Sequence, residues 1–205
     1  EGQINTGKMM QQLLKLAREK GIEIYNGLSI EALEETAHCV QVKTTQGWSF
    51  QSQQVIVATN GFAQQLLPKL AIRPARNQVL ITQPIKGLKL KGCFHYLQGY
   101  VYFRDIDNRI LLGGARHLDK AGETTDQFGF SEKIQDYLID ILKHIIVPYQ
   151  KVEISRWWSG ILGVGTAKNP IIERVSDRLV VAARMGGMGI AIGSLVGEEG
   201  AALLD

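Results

Sequence analysis

At 205 residues, with 45% hydrophobic and 21% charged residues, the chain is long enough for one or two domains with real cores and has an ordinary globular composition. A net charge of +3 spread along the sequence offers no basic patch for nucleic acid, and no run of 18 apolar residues marks a transmembrane segment. Two cysteines, Cys39 and Cys93, and four scattered histidines, His38, His95, His117 and His144, fall into no metal or redox spacing, and the cysteine usage points to a reducing, cytoplasmic compartment.

Thr6 is placed to cap a helix with Met10, Leu13, Leu14 and Ala17 on one face, and Gly21 closes it before a short predicted strand, Ile22–Tyr25. Val40, Val42 and Thr44 alternate with Gln41 and Lys43, and Gln46-Gly47 turns the chain into a hairpin. Val55-Ile56-Val57-Ala58 is unbroken and apolar, as expected of a parallel strand covered on both faces. It ends in Thr59-Asn60-Gly61, a candidate ligand contact because ligands of open α/β sheets lie beyond the carboxyl ends of strands. From Pro74 the strands lengthen: Gln78–Thr82, Tyr100–Arg104 and Ile110–Leu112, the last two joined at Asp107-Asn108. A helix follows Ser131 with Ile134, Leu138, Ile141, Leu142 and Ile145 on one stripe, and Pro148 stops it. Val152–Trp158 reads as a strand and Gly160–Gly165 as a loop.

The C-terminal end is the densest signal. Leu179–Ala183 is a buried strand, and Arg184-Met185-Gly186-Gly187-Met188-Gly189-Ile190 follows as a glycine turn opening a helix. A helix start carries unpaired N–H groups and the positive end of the macrodipole, which suits an anion or an electron-rich ring close to the backbone. Gly189, Gly193 and Gly197 repeat at four-residue spacing, but Glu198 and Glu199 turn that pattern towards close packing in a globular fold and away from a membrane helix. The chain begins at Glu1 and stops at Asp205 within a helical pattern, so it is expected to be a piece of a longer polypeptide.

The order of these stretches resembles the D-amino-acid-oxidase-type flavoenzymes, the group of glycine oxidase, sarcosine oxidase and D-amino-acid dehydrogenases. The resemblance lies in Asn5-Thr6-Gly7-Lys8, Gly27-Leu28-Ser29-Ile30, Val55–Gly61, Tyr102-Phe103-Arg104 through Asn108–Gly114, Trp158-Ser159-Gly160 and Gly186-Gly187-Met188-Gly189. It implies an α/β and α+β fold. A partial, Rossmann-like FAD-binding domain (1–73 and 151–205) would be interleaved with a mostly antiparallel substrate domain (74–150). It implies FAD as cofactor and a small amine or amino acid as substrate, oxidised to the imine. It places Ile30 against the adenine, Ala58, Thr59, Asn60 and Gly61 along the adenosine and pyrophosphate side, and Gly186, Gly187, Met188, Gly189 and Ile190 along the flavin ring.

Two departures qualify the resemblance. No G-x-G-x-x-G follows a strand anywhere in these residues, so the chain alone is expected to retain FAD poorly or not at all. The arginine that grips a substrate carboxylate in glycine and D-amino-acid oxidases has Leu162 at its position, in Gly160-Ile161-Leu162. Period-2 alternation offers a substitute row on one sheet face, Tyr100, Tyr102 and Arg104, with Trp158 as a further substrate contact. Arg76, Arg116 and Arg184 are weaker candidates, expected to be solvated or paired. The rival to an enzyme is an α/β binding module that keeps the fold without the chemistry. Leu162 favours that rival, and the retained Gly-Gly-Met-Gly favours the enzyme.

Overall fold

A computed structural model describes residues 2–204; Glu1 and Asp205, on which the expectation of a longer polypeptide rests, lie outside it. In chain order the elements are helix α1 (Thr6–Glu19), strands β1 (Ile30–Glu35), β2 (Val40–Thr44), β3 (Ser49–Ser52) and β4 (Val55–Val57), and a 3-10 turn at Asn60–Phe62 running into α2 (Ala63–Leu66). Strands β5 (Arg73–Thr82), β6 (Cys93–Tyr96), β7 (Val101–Ile106) and β8 (Arg109–Gly114) follow, then α3 (Glu132–Ile141) with a π-helical turn at Leu142–Ile146. The chain closes with β9 (Ile154–Val164), β10 (Ile171–Arg174), β11 (Leu179–Ala183) and α4 (Gly189–Ala202). This is the mixed α/β and antiparallel architecture that the alternating periodicities imply.

Among the described residues, 6–74 and 162–204 form one compact unit, and 2–5 and 75–161 the other. The sequence reading sets breaks near Arg73 and Lys151; the units divide after Pro74 and after Ile161, the second because β9 is one continuous strand that begins among the residues of the second unit.

In the first unit β11 lies between β10 and β4, antiparallel to β10 and parallel to β4. All five residues of β11 are buried, which is why Leu-Val-Val-Ala-Ala carries no polar alternation. Its core is Val57, Ala63, Leu70, Ile72, Ile171, Val181 and Ala183. Helix α4 covers β11 through Val196 and Gly200; a Cβ at Gly200 would stand 3.0 Å from that of Ala182, so the helix comes very close to the strand there. The close packing expected of the glycine series does not extend to Gly197, which has nothing within 4 Å of a Cβ. The second sheet, β1-β2-β3, pairs antiparallel and turns Val40, Val42 and Thr44 inward while Lys43 stays exposed.

In the second unit the strand order is β6-β7-β8-β5-β9. Asp107 and Asn108 both adopt left-handed backbone (φ 48° and 57°), the geometry that joins two strands by a two-residue hairpin turn. Ser131 leads into α3, whose Ile134, Leu138 and Ile141, with Leu142 of the π-helical turn, pack on Leu80, Val101, Ile110 and Leu112. Each such side chain, fully buried, contributes about 1.5–3 kcal/mol.

Four sequence expectations are corrected. Ile22–Tyr25 is not a strand; it has strand chemistry, but no neighbour pairs with it among the described residues, and Ile22 and Tyr25 are exposed. The apolar face of α1 is not covered either: no residue of that helix is buried. Ile145 leaves the buried stripe of α3 and is half exposed, because the π turn winds more residues per turn than the 3.6 on which the stripe is read. Gly160–Gly165 is not a loop, since β9 runs through it to Val164.

Candidate functional site

Strands β4 and β11 are parallel and in register, Val57 opposite Val181, so the segments that follow them leave at the same end of the sheet. Those segments are Ala58–Gly61 and Arg184–Ile190. Arg184 (φ 62°), Gly186 (57°) and Gly187 (91°) all take left-handed backbone, which bends the chain sharply from β11 into α4. The Arg184 guanidinium is held to backbone, with Nε donating to the Asn169 carbonyl at 2.9 Å and Nη1 to that of Ala71 at 3.1 Å. It is therefore paired, as expected, and forms part of the wall behind the turn.

The outer side of the turn is open. A Cβ at Gly186 would meet nothing within 4 Å, and one at Gly187 would meet only Leu162 Cδ1 at 3.9 Å. Met188 and Ile190 are 57% and 47% exposed, and no side chain caps the start of α4. The surface is thus bare glycine backbone flanked by two apolar side chains, next to an uncapped positive helix end. That combination suits a flat ring carrying a partial negative charge. Leu162, at the position where an arginine was sought, lies directly beside Gly187 and lends it apolar contact in place of a charge.

The inner side is tied down. Asn60 Oδ1 accepts the Met185 N–H at 3.2 Å, and the Gly163 carbonyl accepts the Gly186 N–H at 3.0 Å. Among the candidate residues of this unit, Ala58 and Thr59 are exposed, Gly61 is buried, and Asn60 is joined to the glycine turn. Ile30 lies elsewhere in the unit: it opens β1, pairs with Thr44 beside a register shift, and packs on Val40, Val42 and Leu179.

A second constellation sits on the face of the five-stranded sheet opposite α3. Val101 and Phe103 face the core, so alternation turns Tyr102 and Arg104 to the other side. Tyr102 is registered with Gly113 of β8, which is registered with Val79 of β5. Asn77 Nδ2, on β5, reaches over β8 and donates to Tyr102 Oη at 3.1 Å. This is possible because residue 113 has no side chain: a Cβ there would stand 2.6 Å from Tyr102 Oη. Burial pushes the Tyr102 phenol up to about 12, an effect the Asn77 hydrogen bond partly opposes. Trp157 packs on the core and turns its neighbour Trp158 to the Tyr102 side.

The expected row of three is not a row. Tyr100 lies in the turn before β7, and its ring meets that of His117 at 4.4 Å. Arg104 is on the strand, but Nη1 donates to the Ile4 carbonyl at 2.7 Å and Nε to that of Asp105 at 3.2 Å. Arg76 is held bidentately by Glu123, at 2.7 and 3.1 Å. Asn77 is the residue that sequence reasoning missed. An asparagine inside an otherwise β-forming strand is a weak signal, and nothing in the sequence couples it to a tyrosine 25 positions away. Among the described residues no group of three His, Cys, Asp or Glu side chains could hold a metal ion, and no helix is long and apolar enough to cross a membrane.

With this geometry in hand, comparison with known proteins is informative. The family model described as FAD dependent oxidoreductase (DAO) matches residues 1–203. The chain is 24% identical over 204 residues to the probable oxidoreductase OrdL of Rhizobium meliloti, covering 96% of this chain and 46% of that protein. Its fold is similar to glycine oxidase from Geobacillus kaustophilus (TM-score 0.76, 20% identity), covering 92% of this chain and 50% of that one. It is equally similar to L-proline dehydrogenase from P. horikoshii (TM-score 0.74, 22% identity), covering 92% and 52%. The chain thus spans about half the length of these relatives. It belongs to the DAO family of FAD-dependent oxidoreductases.

Proposed function

We propose that the complete polypeptide containing this chain is an FAD-dependent oxidoreductase that oxidises a small amine or amino acid to the corresponding imine. The observation that carries the reading is the open glycine turn at Gly186–Ile190 beside the uncapped start of α4, in a member of a flavoprotein family. The turn fits one face and edge of a flavin: backbone without side chains, apolar Met188 and Ile190, and a positive helix end for the ring edge that gains negative charge on reduction. Ala58–Gly61 and Ile30 are assigned to the adenosine side. When bound, FAD supplies the chemistry, accepting a hydride from the carbon that bears the amine. The protein binds and orients the substrate and excludes water.

On the substrate side we assign Tyr102, with Asn77 behind it, and Trp158 on the same face of the sheet, together with Tyr100, just before the strand of Tyr102, and Arg104, on it. Asn77 donates to Tyr102 Oη, which leaves the phenol's own hydrogen free. A phenol pushed up to about 12 keeps that hydrogen throughout the neutral range and can donate it to a substrate carboxylate. Transfer of a hydride from a neutral amine needs no protein base, so none is assigned. The free cysteines Cys39 and Cys93 accord with a reducing, cytoplasmic setting.

The test is anaerobic mixing of the complete, flavin-loaded polypeptide with a panel of amines and of D- and L-amino acids, glycine and L-proline among them. Loss of oxidised-flavin absorbance with at least one substrate is expected. If dithionite bleaches the flavin and no amine does, the reading is wrong and the chain is a binding module.

A further inference from the structure

We infer that Asn60 is a positioning residue for the glycine turn: its amide oxygen is turned inward and holds the start of α4. The inference rests on the functional reading above, in which that turn meets the flavin ring.

Asn60 has φ 46°, a backbone state in which glycine is the easiest residue and asparagine the next most tolerated. Glycine would satisfy the backbone but would lack the acceptor. The acceptor is in use: Oδ1 takes the Met185 N–H at 3.2 Å. The same oxygen stands 2.5 Å from where a Cβ at Gly163 would be, so Gly163 must stay bare for Asn60 to reach Met185. Gly163 in turn accepts the Gly186 N–H at 3.0 Å through its carbonyl. Residues 60, 163 and 185–186, remote in sequence, therefore close one node beneath the turn.

The node has a mechanical reason. Three of the four residues from Arg184 to Gly187 are in left-handed backbone, and two of those are glycines with the broadest freedom in the unfolded chain. Such a run needs external pins, and the Met185 and Gly186 amides supply them on consecutive residues. On the outer side, by contrast, a Cβ at Gly186 would meet nothing. The direction in which α4 points its dipole is thus set from below, by Asn60 and Gly163.

The experiment compares wild type with Asn60→Gly, which keeps the backbone state and removes the acceptor, and Asn60→Asp, which keeps both. In the flavin-free complete polypeptide, Met185 amide exchange should be about 10-fold faster in Asn60→Gly, as expected for loss of one hydrogen bond, and close to wild type in Asn60→Asp. In the flavin-loaded protein, Asn60→Gly should shift the visible flavin band and lower its midpoint potential. It should also reduce kcat while leaving KM in place, because the helix end then stabilises reduced flavin less well. Unchanged Met185 exchange in Asn60→Gly overturns the inference. So does faster exchange with an unmoved flavin band and potential, since the contact would then hold the fold alone. A wild-type polypeptide that takes up no flavin overturns the functional reading instead, and the exchange measurement still decides whether Asn60 holds Met185.

Discussion

Tyr102 and Gly113 show how much a single absent side chain can arrange. The hydrogen bond from Asn77 crosses an entire strand, and a methyl group at 113 would stand 2.6 Å from the phenol oxygen. Gly113→Ala should therefore push Tyr102 out of its rotamer and destabilise the second unit by about 1–3 kcal/mol, measurable by urea unfolding. The phenol also makes a pH prediction. Its folded value is raised to about 12 from 10.0, so the neutral form is favoured in the fold; its contribution is complete below pH 10 and is lost as pH rises towards 12. Absorbance titration should show a late-ionising tyrosine that is missing in Tyr102→Phe; if that substitution instead removes amplitude near pH 10, the phenol is not buried. Beside Asn77 on the same strand, Arg76 meets the charge of the fully buried Glu123 at 2.7 Å. Arg76→Leu leaves that carboxylate without its cation and should cost about 3–5 kcal/mol, whereas the double change Arg76→Leu with Glu123→Leu should recover most of it. Equal losses in the single and double variants would show that the pair is not the source.

At the level of elements, burial separates two helices of similar pattern. Both α1 and α3 carry an apolar stripe at helical spacing, yet α3 buries Ile134, Leu138 and Ile141 while α1 buries nothing. Leu138→Ala should cost about 2–5 kcal/mol in thermal or urea unfolding of this chain. Leu13→Ser, on the exposed face of α1, should stay within about 0.5 kcal/mol. A large loss at Leu13 would mean that α1 is packed in solution. The pair also shows what could be read from the sequence. Elements whose burial follows from their own periodicity were legible: β2, β4, β11, α3 and the Asp107-Asn108 hairpin. Elements whose state depends on a neighbour were not. Ile22–Tyr25 reads as a strand and pairs with nothing described, while β1, β6 and β10 are edge strands, each fixed by pairing with the strand that follows it and not by an alternation of its own. The same distinction holds at the candidate site. The glycine turn could be found because glycine runs are local, whereas the Asn77–Tyr102 and Asn60–Met185 bonds join residues 25 and 125 positions apart.

For the whole molecule the decisive quantity is how much of a cofactor these residues can hold. The glycine turn and Ala58–Gly61 offer backbone amides, one helix dipole and a few apolar contacts, with Ala58, Thr59, Met188 and Ile190 on exposed surface. A cofactor the size of FAD is held tightly when 70–90% or more of it is enclosed, with its pyrophosphate on a glycine-rich strand-to-helix turn. That fingerprint is absent from these residues, and the chain spans about half the length of its relatives. A partial site forfeits more than half of the affinity, since the entropic loss on immobilising the ligand is much the same while the contacts that offset it are fewer. The chain expressed alone should therefore purify without stoichiometric flavin and bind added FAD no tighter than about the millimolar range, roughly −4 kcal/mol. The complete polypeptide should purify yellow. Equilibrium dialysis of both against FAD, read at the visible flavin band, measures the difference directly. A yellow preparation of this chain alone would show that the glycine turn and its neighbours already enclose the cofactor, and the role given to residues beyond the chain would have to be withdrawn.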